Sequence, residues 1–195
     1  MEFTKIQIGK KNTLNVTYKE NGNIVSVAGG NLVHKDMKAA FNALIPHIAL
    51  MTEQREVVGR DLKSVEADKI QDGNSQSVFK WLTCDGITIG NDGNDISITG
   101  HRILQTGDVI KIATPSVTIG NDEKYKYTNE LSLCVEAIIF EAKAYLNEEK
   151  WGIKEGNLEF ANEDPFEGKV TADQVPEAGE KPAKEKKTKK TNKAA

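Results

Sequence analysis

The chain has 195 residues, 38% of them hydrophobic, and a net charge of −3 from 26 basic and 29 acidic side chains. That length suits one domain plus extensions, and residues 1–160 are enough for a core without disulfides or metals. Residues 161–195 carry eight Lys against seven acids, so the body holds −4, which excludes a broad basic footprint for DNA but not a local one.

The first 30 residues read as strands. Ile6 and Ile8 alternate with polar neighbours, as do Leu14, Val16 and Tyr18, the period of a half-buried strand. Asn21-Gly22-Asn23 supplies a tight hairpin before Ile24-Val25-Ser26-Val27, because Asn-Gly accepts the positive φ angles such a turn needs. Gly29-Gly30 is expected to end the run. A first helix comes next over 35–54, with Met37, Phe41, Leu44, Ile45, Ile48 and Met51 on one face. Asp36 favours its first turn. Pro46 has no backbone N–H to donate, so a kink or break is expected there.

From 57 to 118 the pattern reads as strands again. Val57-Val58 opens one running towards Val65. Phe79 and Trp81 sit on another, separated from Ile87 and Ile89 by a turn or bulge at Cys84-Asp85-Gly86. Ile87-Thr88-Ile89 and Ile96-Ser97-Ile98 flank the polar stretch from Gly90 to Asp95 as a hairpin. Val109 to Ile112 continues the sheet, and Pro115 confines the residues after it to an edge strand or a connection. Thr88-Ile89-Gly90-Asn91-Asp92 recurs as Thr118-Ile119-Gly120-Asn121-Asp122, consistent with the same turn chemistry at two strand ends. A second helix starts at Thr128 as N-cap, with Leu131, Cys134, Val135, Ile138, Ala142 and Tyr145 in one stripe. Leu133, Ile139, Phe140 and Leu146 widen its apolar surface, so it should meet the sheet on one side and the first helix or a partner subunit on another.

The expected fold is α+β: a mostly antiparallel sheet with two helices on one face, in the order strands, helix, strands, helix. The domain is expected over 1–153. Residues 154–180 hold eight acids against two Lys, and 181–195 seven Lys against one Glu. That composition buries too little apolar area to offset chain entropy, so 154–195 is expected to be a disordered charged tail.

No acid–base constellation, nucleophile elbow or phosphate loop emerges, so no catalytic, cofactor or metal residue is assigned. Cys84 and Cys134 lie 50 residues apart and read as small buried hydrophobes rather than ligands. His34 and His47 stand at opposite ends of the first helix pattern, and His47 reads as a hydrogen-bonding residue at the kink. Glu53 and Glu56 read as a solvated face. The Gly90–Asp95 stretch lacks the ligand spacing of a calcium loop.

The candidate binding residues are therefore few. Lys184, Lys186, Lys187, Lys189 and Lys190 could hold phosphates loosely, and Trp81 and Phe79 could stack bases if their rings are exposed. Leu158 and Phe160 have the Leu-x-Phe core of the peptide that docks on the replication sliding clamp, without its leading Gln. Phe166, after Asp164-Pro165, resembles the acidic tip of single-strand-binding proteins, but internally placed. The competing structural readings are a last edge strand for Leu158 and Phe160 and core packing for Trp81 and Phe79. No apolar signal or stretch of ~18 apolar residues appears, so no membrane contact and a cytoplasmic location are expected.

The segment His34-Lys35-Asp36-Met37-Lys38-Ala39-Ala40-Phe41, with Leu44-Ile45-Pro46-His47-Ile48-Ala49-Leu50 and Glu53-Gln54-Arg55-Glu56, resembles small uncharacterised accessory proteins of phages and mobile elements, which carry a Pro-His in the first helix. The resemblance spans about residues 4–150 and transfers no functional residue. It implies a phage accessory protein in a bacterial host, beside DNA replication and recombination functions. The leading expectation is a non-enzymatic protein that contacts single-stranded DNA or a replication or recombination protein, with a homodimer as its own assembly. The alternatives are a virion structural or assembly protein and an inhibitor of a host defence system.

Overall fold

A computed structural model describes residues 1–69, 77–90, 92–120 and 125–153. They form an α+β fold built on a seven-stranded antiparallel sheet. The strands are β1 (Glu2–Ile8), β2 (Thr13–Glu20), β3 (Asn23–Leu32), β4 (Leu82–Ile89), β5 (Asp95–Ile103), β6 (Val109–Ala113) and β7 (Val117–Thr118). Their order is β3-β2-β1-β4-β5-β6, with β7 paired to β5. Antiparallel pairing of β1 with β4 therefore joins two meanders.

Period-two alternation decides what each strand buries. Phe3, Ile6, Leu14, Val16, Tyr18, Cys84, Ile87, Ile89, Ile96 and Ile98 enter one core, where each large side chain contributes ~2 kcal/mol of burial. The opposite positions, including Lys5, Gln7, Asn15, Thr17, Thr88, Ser97 and Thr99, stay partly or fully exposed. At the first hairpin Asn21 (φ 50°) and Gly22 (φ 79°) both take left-handed backbone between paired Glu20 and Asn23, as a type I′ turn requires. The bulge expected at Cys84-Asp85-Gly86 is present. Cys84 faces Gly100 and Gly86 faces Thr99, leaving Asp85 as the extra residue.

Gly29-Gly30 does not end β3, which continues to Leu32. A side chain at Gly29 would come within 2.7 Å of the Leu14 carbonyl oxygen and collide with the Tyr145 hydroxyl. The glycine is there for that close approach, in which Tyr145 donates a 2.6 Å hydrogen bond to the Asn31 carbonyl.

The first helical region is two helices, α1 (Lys35–Ala43) and α2 (Ile45–Met51), separated at Leu44. The break precedes Pro46 because proline sits in the first turn of α2, where its missing N–H has no partner to lose. His34, not Asp36, caps α1: its Nδ1 accepts from the Asp36 N–H at 3.3 Å. α2 stops at Met51, short of the expected 54, and Glu53 turns left-handed (φ 51°).

Two expected strands are helical instead. Val57 closes a 3-10 turn (Arg55–Val57), and α3 (Leu62–Ala67) comes after it, capped by Asp61, which accepts from Ser64 N–H at 2.8 Å. Leu62 and Val65 are buried at helical spacing, while Val58 is exposed. Phe79 and Trp81 belong to the single-turn helix α4 (Val78–Trp81), capped by Ser77. Both rings are half-buried.

α5 (Thr128–Asn147) begins one residue after its N-cap, Tyr127. It packs against α1 and touches β1, and its Leu131, Val135, Ile138, Ala142 and Tyr145 join the core with Met37, Phe41, Ile45 and Ile48. Ile139 packs at the margin of that core, but Leu133 and Phe140 are 66% and 63% exposed. No described helix is long and apolar enough to cross a membrane. The expected tail, 154–195, lies outside the described residues.

Candidate functional site

The Pro-His pair places His47 wholly in the core. Its Nδ1 lies 2.7 Å from the Tyr125 hydroxyl and its Nε2 3.9 Å from the Cys134 sulfur. Burial lowers the imidazole pKa to about 4 and raises that of the Tyr125 phenol. At neutral pH, then, the imidazole is neutral and Tyr125 keeps its proton, so one hydrogen bond joins Nδ1 and the phenol oxygen. Burial also raises the Cys134 thiol, which points at the Ala43 carbonyl 3.9 Å away. A protonated thiol is a poor nucleophile. The chain Tyr125–His47–Cys134 ties α2 to α5.

A second polar network opens onto the surface where β5 meets the α2 end and α4. The Glu53–Glu56 pair expected on a solvated face divides. The Glu56 side chain is only 7% exposed and receives Arg102 in a bidentate fork, Nη1 to Oε2 at 3.0 Å and Nη2 to Oε1 at 2.6 Å. Arg102 also donates to Gln54 Oε1 at 2.7 Å, and Arg55 Nε reaches Glu56 Oε1 at 3.4 Å. The Arg102 hydrogen bonds hold the Glu56 carboxyl down to about 2.

This ion pair adjoins a pocket of about 490 Å³ lined by Arg55, Trp81, Arg102, Leu104, Gln105 and Ile110, among others. That volume lies within the usual range for small-ligand sites. Lys80 Nζ sits 4.9 Å from the Trp81 ring centroid, and Arg55 is 73% exposed at the opening. The Trp81 indole and apolar Leu104 and Ile110 suit a flat ring, beside which the pocket presents both the Arg55 guanidinium and the Glu53 carboxylate.

Of the sequence candidates, Trp81 lines this pocket, whereas Phe79 packs against the core beside a separate small cavity with Pro46 and Ala43. The two rings do not form one stacking platform. Lys184, Lys186, Lys187, Lys189, Lys190, Leu158, Phe160 and Phe166 lie outside the described residues. Sequence reading missed Arg55, Arg102, Gln54 and Glu56. A signal was present: only three of the 26 basic residues are arginines, at 55, 60 and 102, and arginine's planar fork suits bidentate carboxylate pairing. Arg60 also pairs this way, with both oxygens of Asp68 at 2.8 and 3.0 Å.

His34, Asp36 and Glu141 bring ligand-type atoms within 4.8 Å of one another. Lys150 Nζ lies 2.8 Å from both Asp36 and Glu141 carboxylates, so an ammonium ion already bridges that charge. The cluster clips the start of α1 to the segment after α5. No protein-family model, curated protein or solved structure matches the chain.

Proposed function

We propose that the protein is a non-enzymatic accessory protein of a phage or mobile element that binds single-stranded nucleic acid in DNA replication or recombination. The assignment to a mobile element rests on the Pro-His helix resemblance. The binding reading rests on one observation: Trp81 lines a pocket together with Arg55 and with Arg102, which Glu56 holds in place. A base stacks on the indole while Arg55 meets the adjoining phosphate, an arrangement indifferent to base identity because every base has a π face.

Fluorescence anisotropy with a labelled single strand tests this on the full chain. Trp81→Ala should weaken binding about tenfold, within the ~1–3 kcal/mol of one base–aromatic stack, and Arg55→Ala should flatten the salt dependence. Binding that is steep in salt yet untouched by Trp81→Ala would place the contacts outside this pocket and overturn the stacking reading. No binding at low salt would overturn the reading.

The exposed Leu133 and Phe140 on α5 favour a second reading, in which the protein acts through a protein partner.

A further inference from the structure

The polar face of the sheet contains a second cleft, of about 360 Å³, on β1, β4, β5 and β6 and separate from the Trp81 pocket. It follows one row of the sheet. Gln7 on β1 faces Gly86 on β4, and Gly86 faces Thr99 on β5, which faces Ala113 on β6. In this row the Gln7 side chain lies over Gly86, where a Cβ would stand 3.1 Å from the Gln7 Cγ and 3.0 Å from the Ile6 carbonyl oxygen. The neighbouring rows supply the walls: Lys5 opposite Thr88 on one side, and Lys111 on the other.

The charges around this cleft are uneven. Lys5 and Lys111 both line it and both are exposed. Among the described residues neither takes part in an ion pair, whereas Arg55, Arg60, Arg102 and Lys150 all do. The one carboxylate lining the cleft is Asp85, the residue that the bulge pushes out of register. Its Oδ2 accepts a 2.8 Å hydrogen bond from His101 Nδ1, which Thr83 Oγ1 also approaches at 2.8 Å. Asp85 is thus turned towards the imidazole, and two unpaired ammonium groups face the cleft. Bulges commonly re-aim a side chain beside a binding site in this way. The Thr88 hydroxyl adds a donor, while the Thr99 hydroxyl is already directed at the Gly86 carbonyl at 3.3 Å.

We propose that this cleft is a phosphate site, which Lys5 and Lys111 approach from its two ends and where Thr88 is the donor beside Lys5. The phosphate belongs either to a nucleic-acid backbone or to a free phosphorylated small molecule. The site stands whether or not the Trp81 pocket holds a base.

The test is ¹H–¹⁵N NMR of the full chain titrated with inorganic phosphate, against sodium chloride at matched pH and ionic strength. Phosphate should give saturable shifts centred on Gly86, Thr88, Thr99 and Gly100 that chloride does not. The surface double substitution Lys5→Gln/Lys111→Gln should weaken this binding at least tenfold with the spectrum otherwise intact, and Trp81→Ala should leave it unchanged. An oligothymidylate arm identifies the source: the same amides shifting at lower concentration mark a backbone phosphate, and no response marks a free phosphorylated ligand. Shifts that chloride reproduces, or that survive the double substitution, would overturn the proposal.

Discussion

Lowering the pH from neutral sets the folded and unfolded chains competing for a proton at His47. In the unfolded chain this imidazole takes its proton near 6.5, whereas in the fold burial delays it to about 4. Between those values only the unfolded state binds the extra proton, so stability falls as pH falls. The loss begins below 6.5 and is complete below about 4. At ~1.4 kcal/mol per pH unit that interval amounts to about 3 kcal/mol, a large part of the ~5–15 kcal/mol that holds a domain together. The assay is urea unfolding at constant ionic strength from about pH 7 to about pH 5, on the parent chain and on His47→Phe. The variant leaves the Tyr125 hydroxyl without its partner and so starts less stable at neutral pH. It should nevertheless lose less on acidification, and the gap between the two should narrow towards pH 5. His34 and His101 are present in both chains and cancel in the difference. Parallel curves would refute the assignment of a neutral, buried His47.

Arg102→Ala should cost about 3 kcal/mol by stranding the buried Glu56 carboxylate, read as a lower midpoint in thermal melts. Because Arg102 holds Glu56 at about 2, the parent should also lose stability as pH drops from 4.5 towards 2, a limb that Arg102→Ala should lack. Gly29→Ala should destabilise by about 2 kcal/mol, since the added methyl meets the Tyr145 hydroxyl and the Leu14 carbonyl; an unchanged urea midpoint would contradict that contact. Deleting 161–195 should shift the melting temperature by no more than about two degrees, and a large drop would show that the segment packs. Sedimentation at tens of micromolar should show a dimer that Phe140→Glu dissociates, given the exposure of Phe140 and Leu133 on α5.

The sheet was legible where one face is buried, because period-two alternation at Leu14, Val16 and Tyr18 or at Ile96 and Ile98 has no helical counterpart. The type I′ hairpin at Asn21-Gly22 was legible for a related reason, since few residues accept two successive positive φ angles. The short helices were not. Val57-Val58 is β-branched and apolar, yet only Val57 is buried, and the helical spacing of Leu62 and Val65 begins after the run that suggested a strand. In α4, Phe79 and Trp81 sit two apart, as on a strand, but four residues are too few for either period to declare itself. Gly29-Gly30 misled in the opposite direction, because a glycine kept for close packing looks the same in sequence as one kept for a turn.

The polar sites were harder still, because their partners come from distant parts of the chain. Glu56 and Arg102 lie 46 residues apart, and His47 and Tyr125 lie 78 apart. Local reading assigned Glu56 to a solvated face because its neighbours Glu53 and Arg55 are charged, and neighbouring charge says nothing about an arginine arriving from another strand. The phosphate cleft depends on non-local pairing in the same way. Lys5 meets Thr88, and Lys111 meets His101, only through the β1–β4 and β5–β6 registers. One part of it did appear locally, the Cys84-Asp85-Gly86 break in alternation. It is the bulge at Asp85, whose carboxylate accepts from His101 at the edge of the cleft. A sequence break that adds one unpaired polar residue beside a glycine is therefore the part of this site that sequence could show, and the register supplies the rest.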